Sequence, residues 1–324
     1  MRNLINEVGQ ELTRISFDGS FADSPIHPNF LEIIKYITDT CPWIYIKIAT
    51  NGSYKPKEFW HELGTILSVQ PHDIKFALDG IDNETQNMYR RGTNYNRIIR
   101  NATAFIEGGG HAIWKMIPFS FNKDLEEEGN RIAKSLGFIG FERNRLNRYR
   151  QKALRSAVIQ KLNFSPEKIN DKEADMMDKT KEKDVNDDIL IKVDTMLDKV
   201  DDSKNLRENL NMLLDNKKVL CVWAAADEYM ISHDGTVWRC CWHDANYHYK
   251  KINEERDKDR DNYLMMTKKY NRRDVGWNNI NTNKFSDIIK HKWFTEDLPD
   301  SMCNSHDDPV RPKLLQCSEK CSIL

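Results

Sequence analysis

The segment Ile44-Tyr-Ile-Lys-Ile-Ala-Thr50-Asn51-Gly52 alternates isoleucine with other residues and then stops at a turn tripeptide. That period of two, closed by Asn-Gly, is the pattern of a β-strand. On either side the period becomes helical, with Phe30, Ile33, Ile34 and Ile37 before it and Phe59, Leu63 and Leu67 after it. The alternation continues outward. Leu4, Ile5, Val8 and Leu12 mark a short helix, and Arg14 to Phe17 a strand ending at Asp18-Gly19. Ile74 to Leu78 form a third strand closed by Asp79-Gly80, and Ile98, Ile99, Ala102 and Ile106 a helix stopped by Gly108-Gly109-Gly110. Ala112 to Phe119 give a fourth strand, 123–136 a polar-faced helix, and Phe138 to Phe141 a fifth strand after Gly137. Strands joined by crossover helices predict an α/β fold with a parallel sheet or barrel.

The chain has 324 residues, enough for two ordinary domains. With 49 Lys plus Arg against 50 Asp plus Glu, no global field favours nucleic acid or an anionic membrane. Met1 to Leu12 contain Glu7 and Glu11 and no continuous apolar run, so they do not read as a signal peptide. No window approaches the roughly 18 apolar residues of a membrane span. A cytoplasmic location is therefore expected. Thiols stay reduced there, and seven cysteines point to metal binding before disulfides.

Residues 144–218 are rich in Lys, Asp and Asn, and carry no strand signal. Helical periodicity at Ile189 to Val200 and Leu206 to Leu214 favours an inserted set of helices over a linker. From Val219 to the end the chain carries six of the seven cysteines and five of the eight tryptophans. A small metal-stapled domain is expected there. The domain boundaries are thus 1–143, 144–218 and 219–324.

Cys221 is followed by thirteen residues, Gly235, four residues and Cys240, with Asp234-Gly235 as a two-residue hairpin turn. The hairpin returns the second cysteine towards the first. Cys317 and Cys321, three residues apart, can reach one metal centre from a single turn. Four thiolates suit either a [4Fe–4S] cluster or a tetrahedral zinc.

The Cys-x13-Gly-x4-Cys spacing and the Cys240-Cys241-Trp242 run resemble the opening of the SPASM and twitch domains of radical SAM enzymes. The resemblance implies one auxiliary [4Fe–4S] cluster held by Cys221, Cys240, Cys317 and Cys321. Cys241 and Cys303 are spare, and Cys303 could replace one of the terminal pair. In the first half, Gly19 to Phe30 is similar to the Gly-rich, acidic, His27-Pro28 segment that cradles the amino group of S-adenosylmethionine. Asp23 keeps the acid, while Ala22 and Ser24 depart from the pattern. Thr50-Asn51-Gly52 matches a cofactor-facing strand end, and Phe76-Ala77-Leu-Asp79-Gly80 a second one in which Ala77 stands for serine. Tyr89-Arg90-Arg91-Gly92 matches a segment whose arginine, Arg90 in preference to Arg91, meets the cofactor's carboxylate. The implied fold is a partial (β/α) TIM-like barrel with a charged helical insertion and a small α+β SPASM-like domain. The implied cofactor-binding residues are Asp23, Thr50, Asn51, Asp79 and Arg90.

Radical chemistry in that family needs three closely spaced cysteines, and Cys41 alone precedes Cys221. Met1 to Leu12 reads as the first barrel helix, so a truncated product, a misassigned start, a split enzyme or a degenerate relative is expected. Cleavage of S-adenosylmethionine would then require a missing segment or partner that carries the cluster. SPASM relatives modify peptides or proteins, which makes a peptide the preferred substrate. A non-catalytic, zinc-stapled binding module would use the same four cysteines. The basic run Arg143 to Arg155 sits among acids, and nucleic acid is not the expected partner.

Overall fold

A computed structural model describes residues 1–19, 22–69, 72–119, 121–143, 201, 203, 206–215, 219–248, 276–314, 317–318 and 321. The chain divides into two compact units, Met1–Leu146 and Asn147–Leu324. The insertion expected at 144–218 lies outside the described residues apart from 201, 203 and 206–215, and Ile189 to Val200 falls outside with it.

The first unit is an α/β layer. Strands β1 (Arg14–Asp18), β2 (Tyr45–Thr50), β3 (Asp73–Ala77), β4 (Ala112–Met116) and β5 (Gly140–Arg143) form a parallel sheet in sequential order. Among the described residues the sheet has these five strands and does not close into a barrel. Helices α1 (Arg2–Val8), α2 (Phe30–Thr40), α3 (Lys57–Leu67), α4 (Asn83–Tyr89), α5 (Tyr95–Glu107) and α6 (Glu126–Ser135) alternate with the strands.

Period-two patterning sends Ile46, Ile48, Ile74, Phe76, Ala112, Trp114 and Met116 to one face. There they pack under Phe30, Ile34, Ile37, Trp60, Leu63, Ile98 and Phe105 from the helices. Burying such side chains contributes about 1.5–3 kcal/mol each before entropy is counted. Helices α3 and α5 approach closely at Gly64 and Gly108, where an added Cβ would lie 2.1 Å from Phe105 O or 2.2 Å from His61 O. Cys41 is 2% exposed, a buried thiol of this core.

Two differences from the expected elements have local causes. Helix α4 fills Asn83–Tyr89, just before the Tyr-Arg motif, where no element was expected, and starts from a capping box between Asp82 and Thr85. Strand β5 is shifted to Gly140–Arg143, because Phe138 is drawn into the core against Trp114, with ring centroids 5.6 Å apart.

The second unit includes α7 (Leu206–Asp215), within which the helical period at Leu206 to Leu214 lies. It then has α8 (Val222–Ala225), the antiparallel hairpin β6 (Met230–Ile231) and β7 (Val237–Trp238), and α9 (Cys241–His248). The hairpin is present, but its turn is longer than two residues. Ser232 N donates to Thr236 O at 2.8 Å, Gly235 N to Ser232 O at 3.0 Å, and Gly235 has a φ of 88°. That is a turn centred on His233 and Asp234 followed by a left-handed glycine, a three-residue connection. An aromatic cluster of Trp238, Trp277, Trp293 and Phe294 forms the unit's core. Among the described residues no helix is long and apolar enough to cross a membrane.

Candidate functional site

Parallel α/β sheets gather loops at the carboxyl ends of their strands, and the first unit has a cleft of about 260 Å³ there. Gly19, Asp23, Ala49, Thr50, Asn51, Lys75, Ala77, Arg90, Lys115 and Ile117 line it. Four of the five residues expected to contact a cofactor therefore meet in one cleft. Asp23 is tied to the end of β2. Its Oδ2 accepts from Thr50 Oγ1 at 2.8 Å and from Asn51 N at 3.2 Å. Its Oδ1 is buried without a hydrogen-bond partner.

Burial pushes the Asp23 carboxyl above its ordinary 3.8, against the lowering effects of Thr50, Asn51 and Arg90. The folded state thus holds its proton more tightly than the unfolded chain does. Stability must fall as pH rises through the unfolded value, and the penalty is complete above the folded one. We expect Asp23→Asn to melt above the parent chain at pH 7, with the difference vanishing at about pH 3, in thermal scans at the two pH values.

Asp79, the fifth expected contact, lies behind the cleft. It is fully buried, and its oxygens accept from Arg90 Nε at 2.5 Å and Ile117 N at 2.6 Å. Its backbone N–H donates to Gln86 Oε1 at 2.9 Å, and its carbonyl accepts from Asn122 Nδ2 at 2.8 Å. Asp79 therefore anchors Arg90, which in turn lines the cleft. Its carboxylate has no open side from which to meet a ligand.

In the second unit, Val219, Cys221, Cys240, Trp242, His243, Cys317 and Cys321 surround a narrow cavity of about 10 Å³. The hairpin delivers Cys240 at the start of α9, and Leu220 N donates to Cys321 O at 2.9 Å, which ties the Cys221 segment to the terminal one. All four thiols expected to act together line this cavity, while Cys303 is exposed and does not. Burial pushes the Cys240 thiol up to about 12, with Cys241 and Cys221 adding to the rise. Any metal bound here must therefore displace protons.

His243 was not foreseen. It is 1% exposed, its Nε2 lies 3.6 Å from Cys317 Sγ, and burial, helped by Arg239, lowers its pKa to about 4. The i, i+3 spacing from Cys240 on a helix is the signal that could have found it. Among the described residues, no group of three or more His, Cys, Asp or Glu is arranged to hold a metal ion.

No family model matches this chain, and no curated protein matches it.

Proposed function

We propose that this chain is a radical SAM protein of the SPASM or twitch type. Its second unit would hold one auxiliary [4Fe–4S] cluster through Cys221, Cys240, Cys317 and Cys321. The observation that carries the reading is that these four cysteines, drawn from three separate segments, line one cavity. A single zinc with Zn–S bonds of about 2.3 Å would draw its sulfurs to about 3.8 Å from one another. A four-iron cluster spreads its thiolates to about 6–7 Å instead, so the spacing of the bound sulfurs distinguishes the two. A cavity of about 10 Å³ has room for a single ion, so a four-iron cluster would require these segments to move apart. The donor set fits four-thiolate coordination.

The five strands in sequential order are read as part of a (β/α) barrel, and the cleft as its S-adenosylmethionine site. The orphaned, buried Asp23 Oδ1 suits an ammonium donor, and the Arg90 guanidinium, oriented by Asp79, suits a carboxylate. Those are the two charged groups of the cofactor's amino-acid end. In the family, reductive cleavage of the bound cofactor supplies a 5′-deoxyadenosyl radical that takes hydrogen from the substrate. This chain's residues would bind and orient the cofactor and keep water from it. The three thiolates needed for cleavage are not among these 324 residues, so by itself the chain would be inactive. The setting is cytoplasmic and a peptide is the preferred substrate.

Anaerobic purification with iron and sulfide analysis tests the reading. Brown protein with absorbance near about 400 nm and about four irons per chain is expected, with most of the iron lost in Cys240→Ser. Colourless protein carrying stoichiometric zinc would overturn it. With dithionite and S-adenosylmethionine, the chain alone should release no 5′-deoxyadenosine above a cluster-free control.

A further inference from the structure

The sheet face away from the core helices carries a pattern that neither packing nor the proposed cofactor uses. Period two places Lys47, Lys75 and Lys115 on that face, one on each of β2, β3 and β4. These are the three interior strands of the sheet. Lys47 pairs in register with Asp73, Lys75 with Ala49, and Lys115 with Ala77. Each lysine thus stands two residues further along than the last, and together they climb diagonally towards the cleft. Diagonal neighbours of this kind lie about 7–8 Å apart, within reach of long side chains.

Lysines on edge strands guard against aggregation, but these are interior, half-buried and mutually repulsive. One of the three is paired. Lys75 Nζ is taken by Glu142, at 2.5 and 2.6 Å from its two oxygens. Asp73, which accepts from Tyr45, stands in register beside Lys47, and Asp18 is exposed on β1. The side chains of Lys47 and Lys115 have no hydrogen bond or ion pair among the described residues. Burial lowers the Lys115 pKa, and Lys75 and Lys47 lower it further, outweighing Asp18 and Glu142. Lys75 and Lys115 also line the cleft.

Lys115 is thus an unpaired, half-buried cation in the lining of the cleft, with Lys75, shared with Glu142, beside it and Lys47 below it on the same diagonal. We propose that Lys47, Lys75 and Lys115 form a site for a compact oxyanion, the carboxylate or phosphate group of a ligand that enters the cleft. A lysine ammonium serves either group as a point charge. The cleft volume fits a small anionic group rather than a polyanion laid along the surface. The site shares its cleft with the proposed cofactor site but is argued from other residues, Lys75 and Lys115 rather than Asp23 and Thr50.

Calorimetry on the full chain at fixed ionic strength, with succinate and with pyrophosphate as probes, tests this. At least one should bind saturably, succinate if the group is a carboxylate and pyrophosphate if it is a phosphate. Lys115→Gln and Lys47→Gln should each weaken that binding about tenfold or more. Lys115→Arg should retain it, and Lys35→Gln, which removes a surface partner of Asp39, should leave it unchanged. Without ligand, Lys115→Gln should melt no lower than the parent chain, because it relieves repulsion. No saturable binding up to about 10 mM, equal affinity in Lys115→Gln, or a lowered melt for that variant would each overturn the proposal. Iron content is read separately and should not change in any lysine variant.

Discussion

Asp79→Ala should destabilise the first unit by about 3–5 kcal/mol, the usual cost of breaking a buried charge pair. The carboxylate is fully buried and satisfies two donors at once, Arg90 Nε and the backbone N–H of Ile117. Its loss would leave that N–H without an acceptor and Arg90 without an anchor. Arg90→Ala should also be costly, because it strands a buried carboxylate. Asp79→Asn preserves shape but removes the charge, and should cost less, about 1–3 kcal/mol. Urea denaturation of the three variants gives the order. If Asp79 were a ligand contact and nothing more, the midpoints would stay where they are and only binding would change.

Trp114→Ala should cost about 3–5 kcal/mol and lower the melting temperature by on the order of 10 °C. Trp114 is 0% exposed and packs on Tyr95, Phe138 and Phe141, with ring centroids at 6.2, 5.6 and 6.1 Å. Its Nε1 donates to Leu78 O at 2.9 Å, so it also ties β4 to the end of β3. Trp114→Phe keeps most of the packing and drops that bond, and about 1–3 kcal/mol is expected for the carbonyl left unpaired. Differential scanning calorimetry of both variants checks the split. Equal losses would show that the hydrogen bond, not the ring volume, dominates.

The strands and crossover helices were legible because each keeps one apolar period. Isoleucines two apart at Ile44, Ile46 and Ile48, and stripes such as Phe59, Leu63 and Leu67, report which face of an element is buried. Helix α4 escaped because its evidence is a cap, Asp82 with Thr85, rather than a stripe. The cysteine set was legible for a related reason. A hairpin and a helical turn are local devices, and each fixes where its second cysteine can go. His243 was overlooked among its neighbours because a lone histidine beside two cysteines has no period of its own.

Local order thus pointed to the alternating α/β arrangement and to two cysteine pairs, Cys221 with Cys240 and Cys317 with Cys321, while their meeting in one cavity is tertiary. Tertiary structure alone decided three other matters. It turned Asp79 inward, because the donors that enclose it come from Arg90 and Ile117, one 11 and the other 38 residues away. It left Asp23 Oδ1 without a partner, because burial by the surrounding loops removes water that the sequence cannot locate. It also aligned Lys47, Lys75 and Lys115 on one diagonal. Periodicity gives the face of a strand but not its register, and register is set by packing between strands separated by loops and helices of unequal length.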